Sequence, residues 1–304
     1  MTKKIAVIND LSGFGRCSLT AAISVISAMG IQACPLPTAI LTAQTGYPHY
    51  YLDDYTDKMD IYRQEWQKMG QHFDGIYTGF VASEAQIDQI FHFIDTFYTS
   101  DTFLLVDPVM GDDGIKYDMF TPKLLKKMNA LVGEADIITP NLTELCLLTD
   151  ADYDAIIDIA DTRILIDVIG ELASTLLPPD SDNSNTLDSR QTSKKEKEII
   201  VTGIHCKNEH GQKMMGNLYV SKDTRKLFAF PHVGGSYSGT GDLFASCIAA
   251  GKCRGDGIPE LIQLSGTFLE QAIKDSAEEN VPYPDGTNYE KYLYMLIKNR
   301  VLTL

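Results

Sequence analysis

The sequence of 304 residues lacks the signals that mark membrane and exported proteins. No apolar stretch approaches the roughly 18 uninterrupted residues of a transmembrane helix. The N-terminal MTKKIAVIND contains two lysines, but the apolar run that follows them is only as long as a strand. We therefore expect neither a membrane span nor an export signal.

Cysteine patterns that would indicate metal binding or disulfides are also missing. None of the six cysteines has C-x-x-C spacing, and the six histidines are equally dispersed. A zinc site or a disulfide framework is therefore disfavoured. Reduced thiols in a cytoplasmic protein fit this pattern best.

Positive charge is scarce, with 26 Lys and Arg against 41 Asp and Glu and a formal net charge of −15. Nucleic acids and anionic membrane surfaces would be repelled at long range, so neither is expected as the main partner. An anionic substrate would need a local site that is positive or lined by backbone N–H groups.

The common nucleotide-binding fingerprints are absent as well. The chain has no G-x-x-x-x-G-K-[ST] motif, and SGFGRC at residues 12–17 lacks the third glycine of G-x-G-x-x-G. A P-loop ATPase and a Rossmann dehydrogenase are both disfavoured.

What the sequence does contain is a series of short apolar runs that alternate with helical segments. This alternation predicts βαβ units around a buried parallel sheet with helices on both faces. The predicted strands are KIAVI (4–8), DGIYTGF (74–80), TFLLVD (102–107), ADIIT (135–139) and EIIVTGI (198–204), and helices are predicted at 84–98 and 122–132. No repeat or linker divides the chain, which predicts one domain over residues 1–304.

Two segments interrupt the alternation. Residues 31–47 contain Pro35 and Pro37 and are expected to form short extended pieces, a small flap or edge near the substrate. Residues 178–197 are polar and poor in aromatics, which predicts a flexible surface loop without chemistry. A hairpin is predicted at 213–233.

The segment GSYSGTGDLFAS, residues 235–246, places small and hydroxyl residues directly before a predicted buried helix. Gly239, Thr240, Gly241 and Asp242 then lie at a helix N-terminus, where free N–H groups and the helix dipole favour an anion. An ordinary Asp or Thr N-cap explains the same residues equally well.

Two further strand ends carry oxygen ligands. Asp107, in VDPVMGDDG (106–114), follows one predicted strand, and ITPNLTEL (138–145) follows another. Each has a purely structural alternative, a Pro-Gly turn for the first and a T-x-x-E capping box for the second. Three such junctions favour a shared site, because Mg²⁺ prefers oxygen ligands and enters with a nucleotide's phosphates.

Together these motifs resemble the ribokinase superfamily, specifically its vitamin-kinase branch of pyridoxal kinases and hydroxymethylpyrimidine kinases. AQTGYPHY (43–50) is similar to the H-T-G-Y stretch of pyridoxal kinases, and TGF (78–80) stands where those kinases have T-G-Y. The resemblance implies a three-layer α/β/α fold with a mainly parallel central sheet. It also implies Mg²⁺ with ATP as cofactors, a possible K⁺ site and a homodimer.

The resemblance implies transfer of the γ-phosphoryl group of ATP to the hydroxymethyl group of pyridoxal, pyridoxamine or pyridoxine. Asp242 would be the base, with Gly239, Thr240 and Gly241 as the anion hole. The other roles carried over are Asp107, Thr139 and Glu144 for the metal, Asp112, Asn141, Thr202 and Thr240 for ATP, and Ser12, Thr45, Tyr47, Leu41 and Phe80 for the vitamer.

Departures from the pyridoxal kinase pattern bear on the substrate. Phe80 lacks a tyrosine hydroxyl, and the SGFGR turn after the first strand is similar to the glycine-rich turn of hydroxymethylpyrimidine kinases. A B6-vitamer kinase is preferred, and a hydroxymethylpyrimidine (phosphate) kinase is the alternative. A sugar or nucleoside kinase fits less well, and a catalytically silent binding protein on the same fold stays open.

Overall fold

The central feature of the fold is a nine-stranded sheet with the strand order β11-β10-β9-β8-β5-β4-β1-β2-β3. The computed structural model describes residues 2–179 and 195–297, so most of the loop predicted at 178–197 lies outside the described residues. The strands are β1 (Lys4–Ser12), β2 (Gln32–Leu41), β3 (Leu52–Asp54), β4 (Gly75–Thr78), β5 (Phe103–Val106), β8 (Ile137–Ile138), β9 (Glu198–Lys207), β10 (Lys213–Val220) and β11 (Arg225–Pro231), with a separate hairpin of β6 (Gly111–Asp112) and β7 (Ile115–Lys116).

The six strands from β2 to β9 in this order run parallel, while β3, β10 and β11 join the sheet by antiparallel pairing. The helices are α1 (Ser18–Ala28), α2 (Thr56–Lys68), α3 (Glu84–Phe97), α4 (Pro122–Glu134), α5 (Leu142–Thr149), α6 (Tyr153–Ile157), α7 (Thr162–Ser174), α8 (Thr240–Arg254) and α9 (Ile258–Glu278), with 3₁₀ turns at Tyr283–Asp285 and Glu290–Leu296.

The helices cover both faces of the sheet because alternate side chains of a buried strand point in opposite directions. In β1, Ile5 and Val7 pack with α1, α8 and α9, whereas Ala6 and Ile8 pack with α2 to α5 and α7. The predicted three-layer α/β/α fold is therefore confirmed. In the part of the chain that the structure describes, no helix is both long enough and apolar enough to cross a bilayer.

The prediction for residues 31–47 was wrong in part. Instead of short pieces joined at the prolines, Gln32–Leu41 of this segment form one strand, β2, parallel to β1, with Pro35 opposite Val7 and Pro37 opposite Asn9. Its other neighbour, β3, pairs only with residues 39–41. Because Pro35 and Pro37 are two residues apart, their nitrogen atoms, which carry no hydrogen, can both point to the side of β2 that β3 leaves unpaired, where proline is tolerated.

The topology brings functional side chains together at one edge of the sheet. The parallel strands β1, β4, β5, β8 and β9 all end there, and the N-termini of α1, α5 and α8 lie at the same edge. In open α/β sheets this carboxyl edge is where ligands bind.

Candidate active site

The glycine-rich turn before α8 is built around Gly239. This residue is the N-cap, with φ of 82°, and a Cβ there would lie 2.1 Å from the Arg16 carbonyl oxygen, so only glycine fits. No side chain caps the helix. The alternative of an Asp or Thr N-cap is therefore wrong, and the first N–H groups of α8, those of Thr240 and Gly241 included, have no partner within the helix.

Asp242 lies in the first turn of α8 and is half-buried. Its Oδ1 accepts a hydrogen bond of 3.0 Å from Asn9 Nδ2. Burial raises the pKa of Asp242 to about 6, with a further increase from Asp10, and hydrogen bonds from the Ser18 backbone and Asn9 oppose this. A carboxylate with a pKa near neutrality is suited to exchange protons at physiological pH.

Asn9, in β1, fixes the orientation of Asp242. Its Oδ1 accepts from the backbone N–H groups of Phe80 at 2.9 Å and Asp10 at 3.0 Å, so its Nδ2 is directed at the carboxylate. The side chain is fully buried, and a Cβ on Gly79 would approach its Nδ2 to 2.4 Å. The glycine of the TGF stretch therefore makes room for Asn9.

Asp107 follows β5 directly and is buried. It accepts a hydrogen bond of 2.9 Å from the Thr139 hydroxyl. Burial, and then the charge of Asp242, raises the pKa of Asp107 to about 7. The charges of the two acids therefore interact at the edge of the sheet.

Glu144, at the start of α5, is also buried. Its carboxylate accepts from Asn141 N at 2.8 Å and Met110 N at 3.1 Å, while Asn141 caps the helix in return. The predicted capping box exists, but Asn141 rather than a threonine is its N-cap. Burial and the charge of Asp107 raise the pKa of Glu144 well above its ordinary value.

These carboxylates have no compensating cation in the described residues. The groups that perturb Asp107 and Glu144 include other acids but no lysine or arginine. Within residues 2–179 and 195–297, no group of three or more His, Cys, Asp or Glu side chains is arranged to hold a metal ion. Asp107 and Glu144 therefore do not form a complete metal-ligand set with other acidic, His or Cys side chains of the described residues.

The predicted nucleotide-binding residues lie beside this acidic cluster. Asn141 Nδ2 donates to the Gly111 carbonyl at 2.8 Å, which fixes the β6–β7 hairpin that carries the exposed Asp112. Asn141 also forms a bridge with Thr202, whose backbone N–H donates to Pro140 O at 2.9 Å. Asp112, Asn141 and Thr202 thus come from neighbouring segments.

The predicted acceptor residues lie on β1, at the end of β2, in the loop after β2 and in the segment after β4. Thr45 is exposed, Tyr47 and Phe80 are half-buried, and Leu41 is buried at the end of β2. Ser12, in contrast, is fully buried, and its hydroxyl donates to Asp10 at 2.9 Å.

Three residues at the site were not anticipated as functional. Asn9 and Asp10 form a polar pair in an otherwise apolar strand, a signal that could have identified them. Asp285, which accepts from the Tyr47 hydroxyl at 2.6 Å, has no local pattern that indicates a role.

Cys17 is a poor nucleophile, since burial and the charges of Asp242 and Asp10 raise the pKa of its thiol.

Comparisons with known proteins identify the family to which this chain belongs. The family model for phosphomethylpyrimidine kinase matches residues 15–176 and 171–283. A "putative phosphomethylpyrimidine kinase" from Bacteroides thetaiotaomicron, in a crystal form with pyridoxal, is 34% identical, with a TM-score of 0.83 over 97% of this chain and 96% of that one.

Two further relatives are more distant in sequence. Pyridoxal kinase from Lactobacillus plantarum is 24% identical, with a TM-score of 0.78 over 97% of each chain, and shares the fold. A "putative pyridoxal kinase" from Schizosaccharomyces pombe is 28% identical over 194 residues, which are 63% of this chain and only 50% of that relative. The likeness to the vitamin-kinase branch of the ribokinase superfamily is confirmed, and the chain belongs to the phosphomethylpyrimidine kinase family.

Proposed function

We propose that this kinase transfers the γ-phosphoryl group of ATP to the hydroxymethyl oxygen of a B6 vitamer, namely pyridoxal, pyridoxamine or pyridoxine. The observation that carries the proposal is the relative with 34% identity over 97% of this chain, which was crystallised with pyridoxal. The site of the present chain supplies a base, an anion-binding turn and metal-ligand oxygens at one edge of the sheet.

Asp242 is the proposed base. Asn9 and the Ser18 backbone orient its carboxylate, and a pKa of about 6 leaves it mostly ionised at pH 7 while still able to accept the hydroxymethyl proton. Proton removal from the alcohol makes its oxygen a better nucleophile at the phosphorus atom.

The proposed anion hole is the turn that contains Gly239, Thr240 and Gly241. Its backbone N–H groups at the start of α8 offer hydrogen bonds to the phosphoryl oxygens as negative charge shifts during transfer. Phosphoryl transfer depends chiefly on such positioning and charge stabilisation.

Mg²⁺ fits the donor set at Asp107, Thr139 and Glu144. Two buried carboxylates with raised pKa values and no cationic partner among the described residues are the oxygen donors that this ion prefers. Because the chain offers only a partial set, water and nucleotide phosphates would complete the shell. The ion would supply charge neutralisation for the phosphates.

ATP is proposed to lie along Asp112, Asn141 and Thr202, beside the turn at Thr240. Asn141 holds the β6–β7 hairpin against the same edge that Thr202 occupies, so both could flank a polyphosphate. A K⁺ site near Thr202 belongs to the same proposal, and replacement of K⁺ by choline in the assay tests it.

The vitamer ring is proposed to lie between Leu41, Phe80 and Tyr47, with Thr45 and Ser12 as polar contacts. Apolar walls with a few hydrogen-bonding groups suit a small heteroaromatic ring. The Ser12 hydroxyl already donates its hydrogen bond to Asp10, so it can offer a ligand only an acceptor oxygen.

A hydroxymethylpyrimidine, or its phosphate, is the second candidate acceptor, because the matching family model is that of phosphomethylpyrimidine kinase. For hydroxymethylpyrimidine itself the reaction and the base would be the same, and only the groups that contact the ring would differ. Its phosphate would instead accept the phosphoryl group on a phosphate oxygen, with no alcohol proton for Asp242 to remove.

The decisive experiment is steady-state phosphorylation of pyridoxal, pyridoxamine, pyridoxine and hydroxymethylpyrimidine with Mg-ATP. We expect the highest kcat/KM with a B6 vitamer. A clear preference for the pyrimidine would select the second candidate, and binding of vitamers without turnover would select a silent binding protein. The homodimer is a separate proposal that sedimentation of the purified chain tests.

A further inference from the structure

A segment far along the chain joins two parts of the proposed site: the acceptor side, which includes Thr45 and Tyr47, and the phosphate side, which includes the turn at 239–242. Tyr283–Asp285 forms a single 3₁₀ turn after α9, and it contacts both the loop at 42–51 and the turn at 13–17. None of the proposed catalytic steps uses this segment.

Asp285 makes the two connections with different atoms. Its side-chain Oδ1 accepts from the Tyr47 hydroxyl at 2.6 Å, and its backbone carbonyl accepts from Arg16 N at 3.2 Å. A parallel contact joins Gln44 Nε2 to the Pro284 carbonyl at 3.0 Å. The loop at 42–51, called the acceptor loop because it carries Thr45 and Tyr47, is therefore attached to the 3₁₀ turn at two points.

The Arg16 backbone lies directly against the phosphate-binding turn. Its carbonyl oxygen occupies the place that a Cβ of Gly239 would need, and a Cβ on Gly286 would approach the same oxygen to 3.1 Å. The Arg16 side chain donates from Nε to Glu290 at 2.6 Å and from Nη1 to the same Asp285 carbonyl at 3.5 Å. The backbone of Asp285 thus sets the Arg16 segment, while the side chain of Asp285 sets Tyr47.

We infer that Asp285 is a positioning residue that holds Tyr47, and with it the acceptor loop, at a fixed distance from the phosphate-binding turn and Asp242. The inference rests on the proposed function, since it assigns Tyr47 to the acceptor site. Burial, followed by the hydrogen bond to Asp285, raises the pKa of Tyr47 to about 12, so the phenol stays a donor at physiological pH.

The test is a kinetic series of Tyr47→Phe, Asp285→Ala, Asp285→Asn and the double variant Tyr47→Phe/Asp285→Ala. Tyr47→Phe and Asp285→Ala should each raise KM for the acceptor about tenfold, the size expected for one hydrogen bond to a charged group. KM for ATP should not change, and the melting temperature should fall by only a few degrees, as expected for the loss of one intramolecular hydrogen bond. The double variant should add no further loss, because both changes remove the same bond.

Asp285→Asn keeps an acceptor oxygen and should restore part of the affinity. The matched control is Tyr51→Phe, on the same loop, whose side chain is 68% exposed. An unchanged acceptor KM in Tyr47→Phe, or equal rises in both KM values, would overturn the inference. If the wild type prefers the pyrimidine, the same series is measured with the pyrimidine as acceptor, so that the role of Asp285 is tested separately from the choice of a B6 vitamer. A wild type that is inactive on every acceptor would overturn both the proposed function and the role of Asp285.

Discussion

The two sides of the site are held together by different kinds of contact. On the proposed phosphate side, the capping geometry is local, with Glu144 and Asn141 three residues apart and Gly239 three residues before Asp242, although the turn also packs against the backbone of Arg16. On the acceptor side, Tyr47 and Asp285 are 238 residues apart, and Asn9 reaches Asp242 over 233 residues. The difference teaches that this chain encodes the turns proposed for charge stabilisation mostly locally, and the proposed alignment of the substrate through its tertiary fold.

The largest effect should come from the residue at which the two sides meet. Asp242→Asn removes the proposed base and should lower kcat about 1,000-fold, within the range known for loss of a general base. Vitamer affinity measured by calorimetry should stay close to that of the wild type. Full turnover in this variant would exclude Asp242 as the base.

The phosphate side can be disrupted at its tightest point by Gly239→Ala. A Cβ there meets the Arg16 carbonyl oxygen at 2.1 Å in a left-handed conformation, so the turn must shift. We expect kcat to fall about 100-fold through loss of aligned N–H donors. Gly235→Ala is the matched control, because a Cβ at Gly235 has nothing within 4 Å.

The link between the sides can be tested at Asn9. Asn9→Asp keeps the oxygen that accepts from Phe80 and Asp10 but replaces the Nδ2 donor with a second carboxyl oxygen facing Asp242. When that carboxyl is ionised, the like charge should raise the pKa of Asp242, moving the acid limb of the kcat/KM profile upward by about one pH unit. A limb that stays in place would argue that Asn9 does not tune the base.

The smallest effect concerns stability and pH. In the fold the pKa of Asp107 is about 7 against 3.8 ordinarily, so between these values the folded state binds more protons than the unfolded state. Stability from this group is present at low pH and is lost as pH rises through about 7.

Asp107→Asn should therefore melt about 2–5 °C above the wild type at pH 8, since about 1–2 kcal/mol is expected from removing this charge. The difference in melting temperature should close only below the ordinary pKa of 3.8, where Asp107 is largely protonated in both the folded and the unfolded state. Its kinase activity should nevertheless be lost, because Asp107 is one of the proposed metal ligands. A constant gap from pH 4 to pH 8 would contradict the assigned pKa.

The fold was predictable where local patterns repeat. The apolar runs at 74–80 and 102–107 enclose β4 and β5, and helix α3 follows the amphipathic spacing of Ile87, Ile90, Phe93 and Phe97. Residues 31–47 were misread because proline normally breaks a strand, whereas an unpaired sheet edge tolerates Pro35 and Pro37. No local pattern reports which strand will be an edge.

The sequence by itself determined the phosphate side. Small residues, a proline turn and a capping pair encode their own backbone geometry within a few residues, so the turn at 239–242 and the junctions after β5 and β8 could be identified from the chain. Only the tertiary structure decided which carboxylates interact, that Asn9 orients Asp242, and that Asp285 holds Tyr47. The last two contacts join residues more than 200 positions apart, and they form only when the sheet order brings β1, α8 and the last 3₁₀ turns to the same edge.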